Sequence, residues 1–132
     1  MVIRDGARSR GLVLVVEDNE GMREAIDNLL DAAGFSAIAY ASAESLFAGD
    51  RVDEALCVIC DIKLPAMSGF ALLTELRARS QGPPVILITA NDVPGVRNKA
   101  KRRGAAAYLA KPFLGSALLA AVERVAGHVR PQ

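Results

Sequence analysis

Four short apolar runs in this chain each stop at a reactive polar residue, and that repetition restricts the folds open to it. Leu12 to Val16 stops at Glu17-Asp18, Val58 to Cys60 at Asp61, Val85 to Ile88 at Thr89, and Tyr108 to Ala110 at Lys111. Runs this short, apolar throughout and free of alternating polar residues, predict strands buried on both faces. If the strands are parallel, their carboxyl ends lie side by side. Acids, a hydroxyl and an ammonium then meet in one pocket, a site for a divalent cation and a phosphoryl group.

Between the strands the periodicity changes to that of helices. Met22, Ile26, Leu29, Leu30 and Ala33 recur at three- and four-residue steps before Gly34 supplies a stop. Phe35 to Tyr40 reads as a weaker second strand, and Ser42 as the N-cap of a short helix to about Ala48. Leu56 to Cys60 is the third strand. Ser68 caps a helix with Phe70 or Ala71, Leu72 or Leu73, and Leu76 inward, broken by Gly82-Pro83-Pro84. Val85 to Ile88 is the fourth strand. A helix is predicted over Asp92 to Arg103 with Pro94 in its first turn, then a fifth strand over Ala105 to Leu109. Leu114, Ala117, Leu118, Ala121, Val122 and Val125 form a closing helical stripe.

Alternating strands and helices predict an α/β, flavodoxin-like (βα)5 open parallel sheet of order 2-1-3-4-5 with helices on both faces. Ligands of such sheets bind beyond the strand carboxyl ends where the order reverses, here between the strands ending at Asp18 and Asp61. Residues 1–10 read as a flexible arm, 11–127 as the one domain and 128–132 as a tail. At 132 residues, 52% hydrophobic and 23% charged, the chain can bury a single core without staples.

The formal net charge of +1 gives no global attraction to nucleic acid or anionic membrane. No apolar stretch approaches the roughly 18 residues of a membrane span. Arg4, Asp5, Arg8 and Arg10 leave no apolar middle for a signal peptide, so a cytoplasmic location is expected. Cys57 and Cys60 lie within one strand, three residues apart, which sends their side chains to opposite faces. They are expected to be buried thiols and not a redox pair. The basic helix carrying Arg97, Lys99, Lys101, Arg102 and Arg103 reads first as a solvated face, with neither stacking aromatics nor a recognition helix for nucleic acid. His128 stands alone and carries no role.

At Val15 to Glu20 (V-V-E-D-N-E), Cys60 to Gly69 (C-D-I-K-L-P-A-M-S-G), Leu87 to Ala90 (L-I-T-A) and Tyr108 to Phe113 (Y-L-A-K-P-F), the chain resembles a response-regulator receiver domain of two-component signalling. The four motifs occur in order, and the match runs from about Leu12 to Val125. The resemblance implies that Asp61 is the phosphoacceptor. It implies that Asp18, Asp61 and the Lys63 carbonyl bind Mg²⁺, with Glu17 acting mostly through water. Thr89, Ala90 and Lys111 would bind the phosphoryl oxygens, Thr89 and Tyr108 would form the switch, and a cis Lys111-Pro112 bond is expected. Glu17 stands where Asp is commoner, and Ala66 where Gly often follows the proline.

Those residue types suit the chemistry. Mg²⁺ prefers octahedral oxygen ligands and keeps several waters, which two carboxylates and a carbonyl allow. Lys111 offers a point charge, and Thr89 with the Ala90 amide offers hydrogen bonds, to developing phosphoryl charge. The Lys63 side chain is a candidate tuner of hydrolysis. Thr89 moving to the phosphoryl group would vacate space for Tyr108, whose other reading is a fixed half-buried aromatic.

The expected partners are a sensor histidine kinase or histidine phosphotransfer protein and, downstream, a protein or an output domain outside this sequence. The wording A-S-A-E-S-L-F and D-V-P-G-V-R is similar to receivers that precede helix-turn-helix outputs. A phosphorylation-dependent homodimer is compatible with this reading, and direct nucleic-acid or membrane binding is not expected. Apart from its own phosphorylation and autodephosphorylation, the chain is not expected to be an enzyme. The alternatives are a receiver-fold interaction module that works without phosphorylation, and a flavin or nucleotide binder. Against the latter, neither G-x-G-x-x-G nor G-x-x-x-x-G-K-[ST] occurs.

Overall fold

A computed structural model describes residues 9–129. The element order is β1 (Leu12–Val16), α1 (Glu20–Ala32), β2 (Ser36–Tyr40), α2 (Ala43–Ala48), a 3-10 turn (Val52–Glu54), β3 (Cys57–Asp61), α3 (Gly69–Arg77), β4 (Val85–Thr89), α4 (Val96–Arg102), β5 (Ala107–Ala110) and α5 (Gly115–Val129). All strand pairings are parallel and the sheet order is β2-β1-β3-β4-β5, the order predicted.

Strand alternation divides the core into two layers. Leu14, Val16, Val58, Cys60, Val85 and Leu87 meet α2, α3 and α4 on one face. Val13, Val15, Cys57, Ile59, Ile86 and Ile88 meet α1 and α5 on the other. The two cysteines therefore lie in different layers, both free and buried, as their spacing required. The expected caps also form: Ser42 accepts from the Ser45 amide and Ser68 from the Ala71 amide.

Several boundaries differ from expectation for local reasons. Helix α4 begins at Val96, not Asp92, because Gly95 adopts φ 92, a left-handed conformation that cannot continue a helix. Pro94 thus lies in the preceding loop, and Val93 beside it is 47% exposed. Strand β5 begins at Ala107, not Ala105, because the Ala105 amide is still closing α4 on the Ala100 carbonyl. Leu114 precedes α5 and is 74% exposed, so it does not belong to the buried stripe.

The chain ends differ as well. Ser9 and Arg10, placed in the expected arm, are fastened to the domain: Ser9 bonds Ser36, while Arg10 reaches Glu123 and lies over the Phe35 ring. The rest of that arm lies outside the described residues. Helix α5 runs through Val129, so the first two residues of the expected tail are helical, and the remainder of the tail and the His128 side chain also fall outside the described residues.

Candidate functional site

The site forms at the carboxyl ends of β1, β3, β4 and β5, each of which delivers the residue immediately at or beyond its last pair. Glu17 follows β1, Asp61 ends β3, Thr89 ends β4 and Lys111 follows β5. A cleft of about 490 Å³ there is lined by Glu17, Asp18, Asp61, Lys63, Thr89, Ala90 and Lys111, which the sequence predicted, and by Asn19, Leu64, Pro65 and Asn91, which it did not. Tyr108, the remaining predicted residue, lies outside it.

Lys111 is the electrostatic hub. Its Nζ donates to Glu17 Oε1 at 2.8 Å and to Asp61 Oδ2 at 3.0 Å. Burial disfavours its charge, yet the bonds to Glu17 and Asp61 outweigh burial and hold its pKa above the ordinary lysine value. Glu17 is fully buried. Burial pushes its carboxyl pKa up, opposed by hydrogen bonds from Lys111 and the Asn19 amide, while the Asp61 charge pushes it further up. A site crowded with carboxylates is thus held partly by its lysine.

The backbone fixes the remaining oxygens. The Lys63 amide donates to Asp61 Oδ1 at 3.1 Å, and the Asn19 amide to Glu17 Oε2 at 3.0 Å. Helix α3 approaches so closely that a Cβ on Gly69 would collide with the Asp61 carbonyl. Ala66, in the same β3-to-α3 connection, takes φ 61, the left-handed conformation in which glycine is preferred. The Lys111-Pro112 peptide is cis.

One ligand atom from each of Glu17, Asp18 and Asp61 lies within 4.8 Å of the others. Asp18 is exposed at the mouth while the other two carboxylates are buried, so this oxygen-only donor set is open to solvent on one side. That chemistry fits a hard divalent cation that retains water.

Tyr108 and Thr89 share a sheet face. Thr89 follows the inward alternation of Val85 and Leu87, and Leu87 is the register partner of Tyr108, which packs on the same layer. Thr89 is buried and its Oγ1 accepts the Asn91 amide at 3.0 Å. Beside it, a second cavity of about 250 Å³ is lined by Thr89, Asn91, Val96, Phe70 and Ile62. Tyr108 is half-buried, with its hydroxyl donating to Asp92 at 2.6 Å.

Sequence reasoning missed Asn19, Arg23, Asn91 and Asp92. Asn19 caps α1 through the Met22 amide and was readable as an N-cap before an acidic first turn. Arg23 donates to the Glu17 carbonyl at 2.9 Å, one helical turn inside α1. Asn91 acts through its backbone amide, which no residue identity reveals. Asp92 meets Tyr108 across 16 positions, which only the fold determines.

Comparison with known proteins agrees with this fold. Residues 13–123 match the family described as the response regulator receiver domain. Nodulation protein W of Bradyrhizobium diazoefficiens is 35% identical over 117 residues, covering 88% of this chain and 51% of the relative. The transcriptional regulatory protein FixJ of Azorhizobium caulinodans is 37% identical over 122 residues, covering 91% and 57%. The chain therefore spans about half the length of these curated relatives. The crystal structure of FixJ-N superposes with a TM-score of 0.81 at 27% identity, covering 94% of this chain and 99% of that one.

Proposed function

The chain belongs to the response regulator receiver domain family of two-component signalling, and from that premise we propose that it takes a phosphoryl group from a phosphohistidine onto Asp61 and so switches a surface read by another protein. The observation that carries this reading is the position of Lys111, bridging Glu17 and Asp61 in a cleft that Thr89 and Ala90 also line. An Asp61 carboxylate oxygen attacks phosphorus, the phosphorus–nitrogen bond breaks and imidazole leaves. Lys111 moves its charge from the carboxylates towards a phosphoryl oxygen, while the Thr89 hydroxyl and Ala90 amide donate to another.

Mg²⁺ held by Asp18, Asp61 and the Lys63 carbonyl, with Glu17 acting mostly through water, would neutralise charge on the transferring group. Water reaching the same cleft hydrolyses the acyl phosphate, and the exposed Lys63 side chain tunes that step. Thr89 drawn towards the phosphoryl group leaves the 250 Å³ cavity for the Tyr108 ring, which lies on the same face. The proposed donor is a sensor histidine kinase or a histidine phosphotransfer protein. The proposed reader is a separate protein, an attached output domain or a second phosphorylated copy. The domain is proposed to comprise residues 11–127, with Ser9 and Arg10 fastened to it from outside. Among the described residues, no helix is long and apolar enough to cross a membrane.

Intact-protein mass spectrometry after incubation with acetyl phosphate tests the reading. A Mg²⁺-dependent gain of one phosphoryl group that disappears in Asp61→Asn supports it. Equal labelling of Asp61→Asn refutes the site, and no labelling by acetyl phosphate or a histidine kinase leaves the phosphorylation-independent module.

A further inference from the structure

Tyr108 is gripped at two points. Its hydroxyl bonds Asp92 Oδ1, and the Arg97 guanidinium lies over its ring 4.5 Å from the centroid. Asp92 belongs to the loop between β4 and α4, and Arg97 to the first turn of α4. One aromatic on β5 therefore ties down both the loop and the helix. At 2.6 Å the hydroxyl-to-carboxylate bond is in the short range of charge-assisted bonds. Burial, the bond to Asp92 and the Asp92 charge together push the phenol pKa up to about 12.

The same loop is fastened to the cleft. The Asn91 amide donates to Thr89 Oγ1 at 3.0 Å, and Asn91 is followed directly by Asp92. Two hydrogen bonds and one short stretch of backbone thus join the Thr89 hydroxyl to the Tyr108 hydroxyl. If Thr89 turns towards Asp61, Asn91 either follows and carries Asp92 with it, or loses its acceptor and frees the loop that positions Asp92. Gly95, at φ 92 with open space where a Cβ would stand, provides a compliant joint between this loop and α4.

We propose that Asp92 is the latch of the switch: it holds Tyr108 outward in the unphosphorylated chain, and movement of Thr89, transmitted through Asn91, releases it. This inference rests on the phosphoacceptor reading and adds a positioning residue to it, since Asp92 acts through Tyr108 and does not line the cleft. Weakening the latch raises the fraction of chains already released, and that fraction scales the apparent rate of labelling by a small donor.

The chain has two tyrosines and no tryptophan, so in a Tyr40→Phe background Tyr108 is the single reporter for fluorescence and phenolate titration. Asp92→Ala is expected to brighten Tyr108 and bring its pKa down towards the ordinary 10.0. It should also speed Mg²⁺-dependent labelling by acetyl phosphate roughly threefold to tenfold, the equilibrium worth of one partly exposed hydrogen bond. Asp92→Asn should fall between the two. In the Tyr40-containing chain, Tyr108→Phe should accelerate labelling equally, and adding Asp92→Ala to it should change nothing further.

An unaltered titration in Asp92→Ala overturns the latch whatever the labelling shows. So do a wild-type labelling rate in that variant and additive rates in the double variant. Failure of the wild-type chain to label at all instead removes the phosphoacceptor reading, while the titration still decides whether Asp92 holds Tyr108.

Discussion

Lys111 and Glu17, 94 positions apart in the chain, meet at 2.8 Å with the glutamate side chain fully buried. The ammonium also serves Asp61, so removing it leaves two buried carboxylates facing each other with no compensating charge. Lys111→Ala is expected to lower stability by about 3 kcal/mol in metal-free buffer, read as a lower urea midpoint. It should retain Mg²⁺ binding and lose labelling; unchanged stability and labelling would contradict the hub role.

A cation bound among Glu17, Asp18 and Asp61 stabilises the folded chain by mass action. At a hundredfold excess over its Kd, Mg²⁺ should add about 2.7 kcal/mol, seen as a rise in Tm. Asp18→Asn should remove most of that rise while leaving the metal-free Tm nearly unchanged, because Asp18 is exposed. A full Mg²⁺ response in this variant would exclude Asp18 as a ligand.

Burial pushes the Cys57 thiol up to about 12, from an ordinary 9.0. A folded pKa raised above the unfolded one stabilises fully below the unfolded value, here 9.0, and loses that contribution as pH rises through 12. The native protein should therefore react slowly with a thiol reagent near neutrality and fully in denaturant, with no internal disulfide on oxidation. Its urea midpoint should fall between pH 9 and 12, less so in Cys57→Ala. Rapid native modification of Cys57 would show that the β3 layer opens.

Ala66 carries a side chain at φ 61, where the left-handed conformation crowds its Cβ. Ala66→Gly is expected to stabilise the chain by roughly 0.5–1 kcal/mol, after the greater freedom of glycine in the unfolded state is deducted. Chemical denaturation at fixed slope measures this, and a destabilised variant would mean that Ala66 packs in a way its backbone does not reveal.

The sequence by itself determined the parallel sheet, its layers and the identity of the cleft, because these depend on period and local chemistry. Val13 and Leu14 alternate between layers whatever surrounds them, and a strand that ends at Asp61 must deliver a carboxylate to the same edge as its parallel neighbours. Helix caps at Ser42 and Ser68 were legible for the same reason: their hydrogen bonds close within three residues. Tertiary structure alone decided that Lys111 bridges Glu17 and Asp61, that Gly95 and not Pro94 sets the start of α4, and that Asp92 faces Tyr108. Each depends on backbone conformation or on residues far apart in sequence, and local periodicity carries no record of either.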